Sequence, residues 1–399
     1  MRIGVYGNIN NYPFMLVRAL RALGQDVHVW IDSDDRLHRP EHRYGDIGVP
    51  YPAWITDVAP REPFFPVVPS SARDATVRAL AACDALILNG TAPALWPLVR
   101  RPAFIVATGT DLEVYCDPCT PRVIAAGAER FPRALRRAVR LGVYATLVRR
   151  QRAGYRGALA VSYHVPGISA HADALLDGLG LTGPRRDAYQ LVALDAIAPA
   201  APPARAVPRL FAVARHTWVK PFRPGMSTLD DKGSDVMIRG LARWVTERGR
   251  PLDIRFVEKG ADVAASRALV ESLGLAPMVT WLPELTQAQV LDEYRAADIV
   301  LDQFGASMMS MGALDAMAVG RPVIANGRPD VITPFRGEPS PHAQAASVEA
   351  IVAQLDRLAP DPAAREAMGR ASRAYIERHH DPMVAARAVL ARFRAATGR

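Results

Sequence analysis

Short apolar runs bounded by turn-forming residues alternate along the chain with stretches of helical period. MRIGVYG has the continuous apolar character of a buried parallel strand, NINNYPFMLVRALRALG that of a turn and helix, and DVHVWID that of the next strand, together a βαβ unit. CDALILNGTA and RPAFIVATGTDLEVY predict two more strands, each ending in a turn of small residues. In the second half, DDKGSDVMIRGLARWV predicts an amphipathic helix with Val236, Met237, Leu241 and Trp244 on its apolar face. AADIVLDQ predicts a strand ending at Gln303, followed by the turn FGASMMSMG and a helix over 311–318. Gly320, Arg321 and Pro322 stop that helix and lead into a strand, PVIA.

The 399 residues exceed one hydrophobic core and suit two domains of roughly 150–200 residues each. The seam falls at 196–208, AIAPAAPPARAVP, where four prolines interrupt any pattern. The expected organisation is a first domain over 1–195, a second over 209–378, and a closing helix over 379–399.

Candidate chemistry gathers at strand ends and helix starts. No bulky charge stands in FGASMMSMG, so the first N–H groups of the 311–318 helix are expected to lie open to an anion. Asp315, one turn in, suits the vicinal hydroxyls of a sugar, since a carboxylate accepts from both and repels phosphate. Lys232 precedes another helix in a chain with only three lysines, Lys220, Lys232 and Lys259, and has two readings: a point charge for phosphate or a solvated surface group. Gly7 and Asn8 end the first strand, where open α/β sheets bind ligands. No G-x-G-x-x-G follows Gly4 or Gly7, which argues against a dehydrogenase.

DDKGSDVMIRGLARW, RFVEKGAD, VTWLPELTQAQVLDEYRAADIVLDQF and SMGALDAMAVGRPVIAN occur in an order and spacing that resemble the donor-binding domain of retaining GT-B glycosyltransferases of the family 4 type. The likeness is good over 210–380 and loose before it, and LDAMAVGRPVIA is its most specific element. The resemblance implies that Arg215 and Lys232 neutralise a donor diphosphate, that Asp315 binds the ribose, and that Met311 and Gly312 offer amides to the phosphates. It also implies that Leu282 lies where the base is read and that Glu258 and Gly260 face the same cleft.

The chain departs from that pattern in three places. Where the family carries a glutamate eight residues before its second acid, this chain has Ser307, so backbone N–H groups of Met308, Met309 and Ser310 are expected to take over the contact with the transferred sugar. The connection from Arg215 to Lys232, HTWVKPFRPGMSTLDD, is longer than the common form. Thr108, Gly109, Thr110 and Asp111 stand where His-Gly-x-Asp is usual; Asp111 is read either as an acceptor-site carboxylate or as a helix cap. His216, beside Arg215, either touches the donor or packs, and Trp218, Phe222 and Met226 are placed near the cleft without a ranked role.

The net charge of +9 concentrates between Arg122 and Arg156, which hold ten arginines and one acid, Glu129. One reading lays this stretch on an anionic membrane with Leu135, Val139, Val143 and Leu147 inward; the other is a solvated basic face packed on the sheet, with Pro132 and Gly142 interrupting the period. Nucleic acid is disfavoured for want of a recognition module. Cys116 and Cys119 form a C-x-x-C with no partner pair for zinc. Three cysteines and no signal or spanning segment point to the cytoplasm, with peripheral membrane contact open.

The expectation is therefore an α/β GT-B protein, two Rossmann-like parallel-sheet domains facing a central cleft. It would move a sugar from a nucleoside-diphosphate sugar to a glycan or lipid-linked acceptor, with retention and with neither metal nor cofactor. A catalytically silent donor-binding subunit, a sugar-nucleotide epimerase on the same fold and a plain membrane-surface protein are the alternatives.

Overall fold

The computed structural model describes residues 1–32, 36–58, 64–121, 134–203, 205–220, 230–305 and 308–399. These form two units, Met1–Leu191 with Pro382–Arg399, and Val192–Asp381.

The first unit holds seven parallel strands: β1 Arg2–Tyr6, β2 Asp26–Ile31, β3 Ile55–Asp57, β4 Ala85–Asn89, β5 Ala103–Val106, β6 Ala160–Ser162 and β7 Arg186–Asp187. Their spatial order is β3-β2-β1-β4-β5-β6-β7. β4 is buried along its whole length, as expected of a central parallel strand covered on both faces. The Pro382–Thr397 helix packs against the Tyr12–Ala22 helix through a buried stripe that includes Ala386, Val389 and Phe393. Arg392 fixes it further, donating to both Asp187 carboxylate oxygens at 3.0 Å.

The basic Ala134–Gly157 helix runs straight through Gly142. Its second half turns inward: Leu147 is fully buried in a cluster with Val67 and Ala94, against which Val143 also packs. This corrects the assignment of Val143 and Leu147 to a bilayer face. Gly154 and Gly157 permit the approach, since a Cβ at either would overlap Pro93 or Trp96. Val139 stays 61% exposed. Residues 122–133 lie outside the described residues, and no helix among those described is long and apolar enough to cross a membrane.

The second unit holds six parallel strands: β8 Arg209–Ala212, β9 Asp253–Val257, β10 Val279–Leu282, β11 Ile299–Leu301, β12 Val323–Ala325 and β13 Ala343–Gln344. Their order is β10-β9-β8-β11-β12-β13. The Pro-rich stretch around 200 is tied to this unit by Arg321, which is 1% exposed and donates to the carbonyls of Ala200, Ala201, Tyr294 and Arg295. A guanidinium with five fixed donors can be buried in this way without a carboxylate partner.

Candidate functional site

In an open parallel sheet the crevice for a ligand opens at the carboxyl ends of the strands, where the strand order reverses. In the second unit that point lies between β8 and β11. Three segments meet there. Lys232 joins two of them through its backbone, its N–H donating to the Thr217 carbonyl at 2.8 Å and its carbonyl accepting from Phe304 N–H at 2.9 Å. Gly233, at φ +62°, lies so close that a Cβ would stand 2.7 Å from Gly305 N, and a Cβ on Gly305 would overlap the Asp231 carbonyl. Only glycine fits either position. The start of the Met311–Val319 helix closes the group, with Gly312 against Val213.

Two of the expected cations converge here. Arg215 follows β8, is exposed, and has no hydrogen-bond or ion-pair partner among the described residues. Burial, and next the Arg215 charge, hold the Lys232 ammonium below its ordinary pKa, while Asp302, Asp230 and Asp231 act in the opposite sense. Two neighbouring positive groups, one partly desolvated, repel each other, and an anion between them would relieve that repulsion.

The helix start differs from its expected form. Ser310 caps it, Oγ accepting from the N–H groups of Gly312 at 3.1 Å and Ala313 at 3.4 Å. Its own N–H donates to Asp302 Oδ2 at 2.7 Å and its hydroxyl to Asp302 Oδ1 at 2.6 Å. The Gly312 and Ser310 amides are therefore not open, and Met311 is the first-turn amide that Ser310 does not cap. Asp302 is 2% exposed; burial raises its carboxyl pKa while the Ser310 donors and Lys232 draw it down. Asp302 was not singled out from sequence, and Ser310 only for its backbone N–H and not as a cap, although a serine directly before an apolar helical run is a cap signature.

Asp315 lies one turn into the same helix, 4% exposed, and accepts from Gln287 Nε2 at 3.0 Å. Met308 and Met309 bury their side chains, and the Met308 carbonyl accepts from the Gln303 side chain. Leu282 and Glu258 follow on the same edge of the sheet; Glu258 is exposed and paired with Arg267. Ser307, Phe222 and Met226 lie outside the described residues.

Four expected site residues have structural work. His216 has no exposed surface. Its ring packs on Phe256 and Trp281, Nδ1 pairs with Ser266 Oγ at 3.0 Å, and burial pushes its pKa down to about 4, so it cannot meet a donor phosphate as a cation. Asn8 donates to Asn11 Oδ1 and the His38 carbonyl, both at 2.8 Å, and accepts from Phe14 N–H at 3.1 Å, so its amide holds the turn after β1 rather than a ligand. Gly7, at φ +84°, lets that turn pass the Asn89 carbonyl, which a Cβ would approach to 2.7 Å. Asp111 is 2% exposed and folds back on its own turn, accepting from the N–H groups of Thr108, Gly109 and Leu112 at 2.8–3.1 Å. Burial lifts its carboxyl to about 6 against those donors. Gly109 is the N-cap of the Thr110–Glu113 helix, and Asp111, inside its first turn, satisfies amides of the turn before it.

Residues 225–361 match the family described as glycosyl transferases group 1. The D-inositol 3-phosphate glycosyltransferase of Rhodococcus erythropolis is 35% identical over 100 residues, 24% of this chain and 23% of that protein. The alignment thus spans about a quarter of the length of the curated relatives. Among solved structures, sucrose-phosphate synthase of Thermosynechococcus elongatus aligns over 99% of both chains with a TM-score of 0.59 at 16% identity. Anabaena HepE, in complex with UDP and glucose, aligns over 98% of both with a TM-score of 0.58 at 14% identity. The chain has the GT-B fold, and its second unit carries a group 1 glycosyl transferase domain.

Proposed function

We propose that the chain transfers a sugar from a nucleoside-diphosphate sugar to a glycan or lipid-linked acceptor. The observation that carries this reading is the exposed Arg215 guanidinium, without a carboxylate partner among the described residues, beside a Lys232 whose ammonium it disfavours. As the bond between sugar and diphosphate breaks, charge grows on the leaving oxygens, and two fixed cations stabilise it without requiring a divalent metal. Asp315, oriented by Gln287, accepts from the ribose hydroxyls. Retention of configuration follows from the family resemblance. HepE is seen with UDP and glucose, which makes UDP the first nucleotide to try.

The exposed Val139 and Arg140 of the Ala134–Gly157 helix suit an anionic membrane carrying the acceptor. Absence of co-sedimentation with phosphatidylglycerol vesicles at low salt would remove that part.

Titration calorimetry with UDP on the full chain and on Lys232→Ala tests the donor site, and release of glucose from UDP-glucose tests catalysis. Binding that vanishes in the variant supports the reading; binding without any sugar release favours the silent donor-binding subunit, for which the engagement of Asp111 by the amides of its own turn also speaks.

A further inference from the structure

We infer that the second unit holds a separate site for a neutral pyranose, in the cavity beside the turn formed by Asp231 and Gly233. The cavity measures about 380 Å³, and its walls include Trp218, Lys220, Asp231, Asp235 and Phe304. That volume is at the lower end of small-molecule sites, about 300–1,000 Å³, with room for one sugar ring and some water. Lys232 is not among the lining residues, although both its chain neighbours are; its charge couples to Arg215 and Asp302, and among the cavity walls to Asp231.

The aromatic wall is fixed before any ligand arrives. The Trp218 indole N–H donates to Ser266 Oγ at 2.9 Å, and its backbone N–H to Asp262 Oδ2 at 2.8 Å. Phe304 is 4% exposed and held by its amide on the Lys232 carbonyl. The two acids of the cavity differ. Asp231 is engaged, accepting from Gly233 N–H at 2.9 Å and pairing with Lys220 at 3.1 Å. Asp235 is half-buried and has no hydrogen-bond or ion-pair partner among the described residues.

A rigid indole beside a carboxylate with acceptor capacity is the chemistry that takes a sugar ring, C–H face on the aromatic and vicinal hydroxyls on the carboxylate. Among the described lining residues two acids stand against one lysine, which disfavours a phosphate, and the Lys220 ammonium opposes a cation, which leaves a neutral polyol. Trp218, Lys220 and Asp231 all belong to the long connection between Arg215 and Lys232, the part of the chain that departs from the family it resembles. The site does not depend on the donor reading, because none of its residues is assigned to the diphosphate.

The test is titration calorimetry of the full chain with methyl α-D-glucopyranoside, methyl α-D-mannopyranoside and methyl α-D-galactopyranoside, alone and with saturating UDP, on wild type, Asp235→Asn and Lys232→Ala. The unfolding midpoint of each variant is read alongside. At least one glycoside should bind saturably, and Asp235→Asn should weaken it by about tenfold while leaving UDP binding unchanged. Binding of UDP but of no glycoside would overturn the site and spare the donor reading. Glycoside binding that survives Asp235→Asn and is lost in Lys232→Ala would also overturn it, by placing the sugar with the diphosphate. Glycoside binding without UDP binding would support the site and count against the donor reading.

Discussion

Asp302 holds Ser310 twice, through its backbone N–H at 2.7 Å and its hydroxyl at 2.6 Å, and Ser310 in turn caps the Met311–Val319 helix. The helix start and the end of β11 are thus one hydrogen-bonded unit. Ser310→Ala removes the cap, worth about 1 kcal/mol. It also withdraws a donor from a buried carboxylate, a further cost of about 1–3 kcal/mol. Urea unfolding should show a loss near the sum of the two, and Ser310→Thr should recover most of it.

Lys232 gives opposite pH dependences with and without ligand. Its folded pKa is below the unfolded value, so the unfolded chain binds more protons across that window, and the free protein gains stability as pH rises toward the ordinary lysine value. On the proposed reading the UDP diphosphate needs the ammonium, so UDP affinity should fall over the same rise. Arg215→Ala removes one of the causes of the depression and should move that fall to higher pH, besides weakening UDP by about tenfold or more at neutral pH. Calorimetric titrations at stepped pH read both effects.

His216 predicts acid sensitivity in the second unit. Its folded pKa of about 4 is under the unfolded value, so the stability it contributes is complete above the ordinary histidine pKa and is lost as pH falls toward 4. The loss should reach roughly 3 kcal/mol. Trp218 and Trp281 flank the Ser266–His216 pair, so tryptophan fluorescence in urea follows it. His216→Phe should flatten the slope.

Gly305→Ala places a methyl group on the Asp231 carbonyl and must spread the two loops that flank Lys232. The expected cost is about 1–3 kcal/mol with loss of UDP binding, whereas Gly249→Ala, with nothing near its Cβ, should cost only its left-handed strain, about 1 kcal/mol. Thermal unfolding and UDP calorimetry compare the pair.

The elements that depend on local pattern were legible in the sequence. The apolar face of DDKGSDVMIRGLARWV becomes the Ser234–Arg248 helix with Met237, Leu241 and Trp244 buried, and PVIA becomes β12. So was the neighbourhood of Arg215, Lys232 and Gly312, because strand ends of one sheet share an edge. What the pattern hides is which polar side chain turns onto which backbone group. Asn8, Asp111 and Ser310 look like ligand contacts in one dimension, and each proves to satisfy amides or carbonyls of its own turn. Gly142 misleads for a different reason: the helix whose period it was expected to interrupt is held beyond it by Leu147 and Tyr155 in the core.

The Pro382–Thr397 helix has a consequence for the chain as it is made. The first unit is discontinuous, and the whole of Val192–Asp381 must leave the ribosome before its last helix can arrive. At about 5–20 residues per second that interval is on the order of ten seconds or more. The second unit, contiguous in sequence, can finish folding first, while the Tyr12–Ala22 helix waits with its docking face bare. A nascent chain stalled before residue 382 should accordingly recruit hydrophobic-binding chaperones to its oldest part rather than to its newest.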